Sequence, residues 1–133
     1  MPRLSVLAVS ARLPAWAESA CAEYEKRMPR GYEVERVFLK RETEIKFGKG
    51  VRVVVLDERG KDYTTVQFAK LLSAETAFVI GGADGLSDDT KRKANVLLRL
   101  SALTLPHALA QVILMEQLYR AATVLTGHPY HRV

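Results

Sequence analysis

The sequence predicts one α/β domain in which helices cover a mainly parallel β-sheet. Short apolar segments rich in valine alternate along the chain with segments whose apolar residues recur at helical spacing. The resulting order, β-α-β-β-α-β-α-(β)-α, is typical of an α/β sandwich. The length of 133 residues, of which 48% are hydrophobic and 26% charged, fits a single globular domain over residues 1–133.

The first third of the chain predicts a strand, a helix and a second strand. Residues 4–10 (LSVLAVS) are short, apolar and valine-rich, as in a buried strand. Pro14 stands where proline often opens a helix, and that helix has to end before Pro29 and Gly31. Residues 33–39 predict the second strand, and their alternating charges indicate an exposed position or a sheet edge.

The middle of the chain predicts a loop, a strand, a turn and a short helix. Residues 40–50 are polar and basic, which indicates a loop, and residues 51–56 (VRVVVL) form the third predicted strand. Residues 57–61 (DERGK) have the glycine and polar content of a turn. A threonine at position 64 or 65 is a suitable N-cap for a helix that reaches residue 72.

The last third predicts a strand, two helices and an apolar segment between them. Residues 77–80 form the fourth predicted strand, which leads directly into two glycines. Ser87 is a good N-cap for a helix that runs to about residue 96, and residues 97–105 follow as a short apolar segment. Pro106 then opens the longest helix, which ends near residue 126.

Positive charge is concentrated in one stretch of the chain. The formal net charge is +5, and residues 26–61 alone contain eleven lysines and arginines against six aspartates and glutamates. Such a stretch suits a polyanion such as RNA. A basic surface also simply keeps a protein in solution, so charge alone leaves both interpretations open.

The single cysteine and the apolar segments exclude several classes of protein. Cys21 makes no internal disulfide, and with only three histidines in the chain it anchors no zinc set, so we expect a small buried side chain and no metal. No apolar run approaches the roughly 18 residues of a membrane span. The apolar start lacks a small-residue cleavage signal, and we therefore expect a cytoplasmic protein without a membrane partner.

Two segments of the second half have the pattern of a ligand site. Residues 78–87 (FVIGGADGLS) place glycines between a strand and a helix, where backbone N–H groups can approach a ligand. Residues 100–107 (LSALTLPH) place Ser101 and Thr104 in an apolar segment, which suits an adenine ring and a ribose. A tight turn and a helix-capping turn, both without a ligand, are the alternatives.

The last helix and the tail offer further polar groups. Glu116 and Arg120 are one turn apart on the long helix, and we expect them to pair. This helix is so apolar that much of its surface has to be buried, and a core and a dimer interface are both open to it. Residues 128–133 (HPYHRV) contain two of the three histidines, with Tyr130 and Arg132. These side chains fit a tail that folds over a site, whereas a solvated tail is the alternative.

Taken together, these segments resemble the RlmH family of SPOUT methyltransferases. The matching stretches are LAVS near the start, EYEKRM, VVVLDERGK, FVIGGADGLS, LSALTLPHALAQVILMEQLYRA and HPYHR. They cover most of the chain in the order of the family, and their combination in the second half is highly specific. The sequence departs from the family in the middle, where members usually have a longer segment with a helix and only RETEIKFGKG stands here.

The resemblance implies a SPOUT-type α/β sandwich with a trefoil knot in the C-terminal half, assembled as a homodimer. It implies S-adenosyl-L-methionine as the cofactor, bound in a bent conformation inside the knot. The implied reaction is methylation of N3 of a pseudouridine in helix 69 of 23S rRNA, within the assembled ribosome. Carried over by motif, the cofactor-binding residues are Leu56, Gly81, Leu100, Ser101, Ala102, Leu103, Thr104 and Leu105.

The resemblance also implies that Tyr130, His131 and Arg132 reach the substrate. From side-chain chemistry, His131 is the candidate base for the N3 proton, Arg132 the candidate stabiliser of the resulting anion, and Tyr130 the group that stacks on or positions the base. Arg120 and His128 are further candidates for binding RNA. Because a chain of this size has little surface for a large RNA, we expect each site to use residues from both subunits.

Three other functions fit parts of the sequence. A non-catalytic ribosome-binding or assembly protein uses the basic stretch but needs no pocket of the LSALTLPH type. Another SPOUT methyltransferase modifies a different tRNA or rRNA, which the YHR tail and the small size argue against. A nucleotide-binding oxidoreductase has GxGxxG after its first strand and an acidic residue some 20 positions on, and this sequence has neither.

Overall fold

Five strands form one sheet in the computed structural model, which describes residues 3–10 and 12–132. Their order across the sheet begins at the strand that is second in the chain, and every neighbouring pair of these described strands is parallel. The strands are β1 (Leu4–Val9), β2 (Val34–Leu39), β3 (Arg52–Asp62), β4 (Thr76–Ile80) and β5 (Val96–Arg99), in the order β2-β1-β4-β3-β5. The carboxyl ends of all five strands therefore lie at one edge of the sheet.

In the described part of the chain, three α-helices lie between strands and a fourth follows the last strand. They are α1 (Ala15–Arg27), α2 (Thr65–Ala69), α3 (Asp88–Arg92) and α4 (His107–Thr126), with single 3₁₀ turns at Glu42–Glu44 and Lys70–Ser73. Pro14 and Pro106 precede α1 and α4 in extended conformation, which confirms the two helix starts predicted from proline. None of these helices, over the described part of the chain, combines the length and the apolar character that crossing a membrane requires.

The first face of the sheet is covered by α1, α2 and α4. Strand residues alternate between the two faces, so that Phe78 and Ile80 of β4 lie in the core beneath these helices. The long helix α4 contributes Leu114 and Leu118, both with no exposed surface. Cys21 on α1 is also fully buried in this core, which confirms its predicted packing role, and burial raises the pKa of its thiol.

The second face of the sheet is covered largely without regular structure. Its core consists of Leu7, Val9, Val53, Val55 and Val79. Ile45 and Phe47 of the irregular segment 40–50 pack on these side chains, together with residues next to α3. The segment that the sequence predicts as a polar loop is therefore also the lid of a small hydrophobic core.

The predicted turn at residues 57–61 is wrong in its extent. The strand β3 continues to Asp62, because Leu56 and Lys61 both align with Leu98 of β5 and the residues between them bulge out of the ladder. Gly60 permits this bulge, since a Cβ atom there would lie 2.7 Å from the backbone carbon of Leu98. The polar and glycine content therefore marks a bulge within a strand.

The predicted helix over residues 87–96 is also wrong in its extent. Ser87 caps α3 as expected, because its hydroxyl accepts the N–H of Thr90, but α3 ends at Arg92. The Asn95 side chain then accepts the N–H of Val53 at 2.7 Å, and the Asn95 N–H binds the Val53 carbonyl. Pairing with β3 thus turns the next residues into strand β5, so a tertiary contact overrides the local helical pattern.

Candidate functional site

A cleft of about 630 Å³ opens toward the carboxyl edge of the sheet, between the bulge of β3, the loops that follow β4 and β5, and the start of α4. Ligands of α/β sheets bind at this edge. Apolar side chains such as Ile80 and Ala110 lie beside backbone-rich glycine segments in its wall. Seven of the eight residues predicted to bind the cofactor line this cleft: Leu56, Gly81, Leu100, Ser101, Leu103, Thr104 and Leu105.

The eighth candidate, Ala102, lies in the same loop, exposed and outside the wall of the cleft. The structure thus brings the glycine turn after β4 and the loop after β5, which are about twenty positions apart in sequence, together in one pocket. Binding of a cofactor by these residues stays a prediction, since the geometry describes their place and not their ligand.

The glycine turn after β4 is shaped by close packing. A Cβ atom on Gly82 would lie 2.8 Å from the carbonyl oxygen of Ser10, so the turn approaches the end of β1 more closely than a side chain allows. Gly85 has φ +73°, and its N–H binds the Gly82 carbonyl at 3.0 Å. The result is a tight turn that also forms one wall of the cleft, so the two interpretations of this motif are compatible.

The loop of residues 100–106 forms the opposite wall. The Ser101 hydroxyl accepts the N–H of Leu103 at 2.9 Å, which holds the loop in a local turn. The Leu103 side chain is 77% exposed. In the described structure no side chain caps the first turn of α4, so the alternative of a simple capping turn does not hold.

Charged residues of the cleft include an ion pair that the sequence analysis missed. Asp57 lies directly after Leu56 at the start of the bulge, and its Oδ2 is 3.5 Å from Nζ of Lys91 on α3. Asp57 follows the buried part of a strand, which is a recognisable position for a site residue. Lys91 gave no comparable signal in the sequence, because it lies on a short polar helix.

The irregular segment after β2 holds α3 in place. The Glu42 carboxylate accepts the N–H of Ser87 at 3.0 Å and the hydroxyls of Ser87 and Thr90. Burial raises the pKa of Glu42, but these hydrogen bonds and the nearby Lys91 outweigh it, so the pKa lies below the ordinary glutamate value. Glu42, in the middle segment that is shorter than in the family, therefore fixes the helix that borders the cleft.

The tail folds back onto α4. Tyr130 donates its hydroxyl to Glu116 at 2.8 Å and packs edge-on against Tyr119, with the ring centroids 4.7 Å apart. Arg120 pairs with Glu116 at 2.7 Å, as the sequence predicts, and its guanidinium lies over the Tyr130 ring. The Nδ1 atom of His131 is 3.3 Å from Arg120, so the tail is held against the helix in this structure.

The electrostatics of this cluster fix the protonation of Tyr130. Burial, followed by the hydrogen bond to Glu116, raises its pKa to about 12, so the phenol is a hydrogen-bond donor at neutral pH. The same carboxylate raises the pKa of Arg120, mainly through its hydrogen bond. His128 and Arg132 are exposed on either side of this cluster.

The tail cluster and the cleft are separate within one chain. Ala110 borders the cleft, and Glu116 lies six residues further along α4, which is about 9 Å along the helix axis. Among the described residues, none of positions 128–132 lines the cleft. The structure therefore brings the predicted cofactor residues together and the predicted catalytic residues together, but it does not bring the two groups to each other.

The basic stretch is partly neutralised by pairing. Arg36 binds Glu18 and Glu25 at 2.5 and 2.8 Å, and these contacts raise its pKa. Arg27 pairs with Glu23 at 3.0 Å. The remaining basic side chains of the segment after β2 are exposed to solvent: Lys40, Arg41, Lys46 and Lys49. Lys40 and Arg41 follow the carboxyl end of β2, whereas Lys46 and Lys49 lie toward the amino end of β3.

An all-parallel sheet with a glycine-walled cleft at its carboxyl edge defines an α/β protein built to bind a small ligand there. The family model described as "Predicted SPOUT methyltransferase" matches residues 2–131. Proteins called "Ribosomal RNA large subunit methyltransferase H" are close in sequence. The one from Burkholderia ambifaria is 44% identical and the one from Methylibium petroleiphilum 47%, each over 98% of this chain and 99% of the relative.

Solved structures show the same fold at low sequence identity. The SpoU methyltransferase AviRb from Streptomyces viridochromogenes, in complex with the cofactor AdoMet, has a TM-score of 0.60 at 17% identity, over 89% of this chain and 57% of that chain. A probable methyltransferase from Bordetella pertussis has a TM-score of 0.61 at 15% identity, over 91% and 95% of the two chains.

The chain therefore belongs to the SPOUT methyltransferase family and, within it, to the group of ribosomal RNA large subunit methyltransferases H. The predicted family and the predicted enzyme class are confirmed. The alignment with the Burkholderia relative spans 154 positions, whereas this chain has 133 residues, so the relative contains residues that this chain lacks.

Proposed function

We propose that this protein transfers a methyl group from S-adenosyl-L-methionine to N3 of a pseudouridine in helix 69 of 23S rRNA, in the cytoplasm and within the assembled ribosome. The observation that carries the proposal is the cleft that the glycine turn and the loop of residues 100–105 form together. The names of the sequence relatives, which specify ribosomal RNA of the large subunit, support the class of substrate.

The residues of the cleft fit this cofactor. Its volume of about 630 Å³ lies in the range of small-molecule sites, and its apolar wall with Leu56, Leu100 and Leu105 suits an adenine ring. Gly81 and Gly82 lie beside that wall and, having no side chains, let a ligand approach their backbone closely. When bound, the cofactor supplies an electrophilic methyl group on a sulfonium.

The tail residues carry the proposed chemistry on the RNA. His131 accepts the proton of N3, and Arg132 stabilises the negative charge that spreads over the base. Tyr130 positions the base as a neutral phenol, because its pKa near 12 excludes it as the proton acceptor at neutral pH. Arg120 and His128 bind RNA from the helix and the start of the tail, with Arg120 held in place by Glu116.

The distance between cleft and tail supports a site shared by two chains. A homodimer can place the tail of one protomer over the cleft of the other, which one chain does not do. Large apolar side chains that stay exposed support such an interface: Trp16, Phe38, Leu103, Leu109 and Leu125. We also infer a trefoil knot, which is consistent with the bulge of β3 and the loops after β4 and β5 meeting at the cleft.

The exposed basic side chains after β2 are proposed to face the RNA backbone. Lys40 and Arg41 lie at the carboxyl edge of the sheet, and Glu42 next to them holds α3 beside the cleft. Affinity for the ribosome is therefore expected to fall steeply with rising salt. An affinity that does not change between low and moderate salt contradicts this role.

The proposed function is tested by methyl transfer to ribosomes that lack the modification. Incubation with labelled cofactor is expected to transfer one methyl group per ribosome, and mapping is expected to place it on N3 of the helix 69 pseudouridine. Naked 23S rRNA serves as the comparison substrate. Absence of transfer to ribosomes, or transfer to another base, rejects the proposal, and failure to bind the donor at millimolar concentration favours a passive ribosome-binding protein.

The shared site is tested by mixing two inactive variants. His131→Ala removes the base, and Thr104→Trp fills the cleft from an exposed loop position. If each site combines two chains, random exchange of subunits restores about one quarter of wild-type activity, because half of the dimers have one intact site. A mixture that stays inactive shows that cleft and tail of the same chain work together.

A further inference from the structure

The Asp57–Lys91 pair occupies a special position in the cleft. The bulge of β3 takes Asp57 out of the strand ladder at the point where the strand reaches the cleft. Its side chain is only 11% exposed, and that of Lys91 is 31% exposed. The bulge of β3 thus places the carboxylate of Asp57 beside the ammonium group that α3 contributes through Lys91.

We infer that Asp57 and Lys91 bind the amino-acid part of the cofactor, Asp57 its ammonium group and Lys91 its carboxylate. This inference rests on the proposed function and names the residues that hold one end of the methyl donor. The amino-acid end is a zwitterion, so a site for it needs one anion and one cation close together. The pair supplies both signs at a separation of 3.5 Å.

Other charged residues of the cleft are less suited to this role. Arg99 is held by Asp62 through two hydrogen bonds of 2.7 Å, which fix its guanidinium away from a new partner. Glu58 and Asp84 are exposed carboxylates, where water screens an interaction with an ammonium group more strongly than at Asp57. Asp57 is therefore the more sheltered anion of the cleft, and the amino group of Lys91 lies 3.5 Å from it.

The existing pair can exchange for the ligand at little cost. Its separation of 3.5 Å exceeds the distance of roughly 2.7–2.9 Å found in strong charge-assisted hydrogen bonds. A zwitterion that inserts gives each side chain a new opposite charge, so no charge is left uncompensated in the cleft. Adenine and ribose do not offer this exchange, which makes the pair specific for the amino-acid end.

Two ligands that differ only in this end test the inference. S-adenosylhomocysteine has the amino-acid group, and 5′-methylthioadenosine lacks both of its charges. Calorimetric titration of the purified wild-type protein is expected to show tighter binding of the first ligand. In Asp57→Asn and in Lys91→Met, affinity for S-adenosylhomocysteine is expected to fall about tenfold or more, because a charge-assisted hydrogen bond is lost. Affinity for 5′-methylthioadenosine is expected to change less than about twofold.

Matched variants separate this role from general effects of charge. Glu35→Gln changes an exposed carboxylate on β2, outside the cleft, and Lys93→Met changes an exposed lysine near the end of α3. Both are expected to bind the two ligands as the wild type does. Thermal unfolding of each variant without ligand checks that the cleft is folded, and Lys91→Met keeps the test valid if Asp57→Asn does not fold.

Three outcomes overturn the inference. Equal losses for both ligands mean that the pair contacts the nucleoside, for example the ribose hydroxyls. Unchanged affinity for S-adenosylhomocysteine in both variants means that the pair has no contact with the ligand. If the wild type binds neither ligand at millimolar concentration, the proposed function fails together with this inference, and that result is distinguishable from the other two.

Discussion

The two faces of the sheet are built in different ways. Among the described residues, the core beneath α1, α2 and α4 contains nineteen buried side chains, whereas the core beneath the segment 40–50 contains five. The first face is sealed by a long apolar helix. The second is covered by Ile45 and Phe47 on irregular backbone and by Leu86 and Ala94 on either side of α3.

The two cores are expected to contribute differently to stability and to ligand binding. The large core fixes the strands and the long helix α4, which makes it the main source of the free energy of unfolding. The small core fixes the glycine turn and α3, because Leu86 and Ala94 flank that helix. The cleft lies where both meet, with the start of α4 on one side and α3 on the other. Changes to the two faces are therefore expected to differ in size and in effect on the ligand.

The largest effect is expected from Leu118→Ala in the core of the first face. Leu118 has no exposed surface, so the substitution leaves a cavity and lowers the free energy of unfolding by about 2–5 kcal/mol. Urea denaturation followed by circular dichroism measures it. Val66→Ala, at a position that is 49% exposed on α2, serves as the control and is expected to cost much less. Equal losses in the two variants contradict the assignment of the core.

A smaller effect is expected from Phe47→Ala on the second face. Phe47 is half-buried, so the loss of free energy of unfolding is expected to be about 1.5–2.5 kcal/mol, below that of a fully buried phenylalanine. The same variant is expected to weaken binding of S-adenosylhomocysteine, because its core supports α3. Lys46→Ala is the exposed neighbour used as control. If Phe47→Ala binds S-adenosylhomocysteine as tightly as the wild type does, the core of the second face does not support the cleft.

The cap on α3 is expected to contribute about 1 kcal/mol at neutral pH, which Glu42→Gln removes in part. Because the pKa of Glu42 is lowered in the folded protein, its contribution is present above the pKa of the unfolded chain and is lost as the pH falls through the folded value. Unfolding experiments from pH 7 downward are therefore expected to show a shrinking difference between wild type and variant.

A double-mutant cycle with Ser87→Ala provides the control for this cap. The two substitutions are expected to be non-additive, since the Ser87 N–H and hydroxyl both bind Glu42. Additive effects, or a difference that grows as the pH falls, show that the segment 40–50 does not hold α3 through this carboxylate.

The smallest effect is expected from Tyr130→Phe in the tail, at about 0.5–1.5 kcal/mol for the lost hydrogen bond to Glu116. The pKa of Tyr130 is raised to about 12, so its contribution is complete below the ordinary tyrosine value near 10 and is lost as the pH rises through 12. The difference from wild type is thus expected to be constant from pH 7 to 9. A decline within that interval contradicts a protonated Tyr130.

Much of the first face was predictable because its signals are local. Pro14 and Pro106 mark two helix starts, apolar periodicity gives the long helix, and alternating charges place residues 33–39 at the sheet edge. The second face was not predictable in the same way. Ile45 and Phe47 have no periodicity around them, and only the finished sheet shows which surface they cover.

The sequence by itself determined the two motifs that form the walls of the cleft, because both are local patterns. One is a pair of glycines after a strand, and the other is an apolar loop that contains single polar residues. Tertiary structure alone decided that Lys91 reaches Asp57, that Glu42 binds the capping residue of α3, and that the tail lies on α4 and not in the cleft. The physical reason is that strand pairing and side-chain packing act between residues far apart in the chain. Such contacts ended the helix at Arg92 and extended β3 past Leu56, against the local pattern in each case.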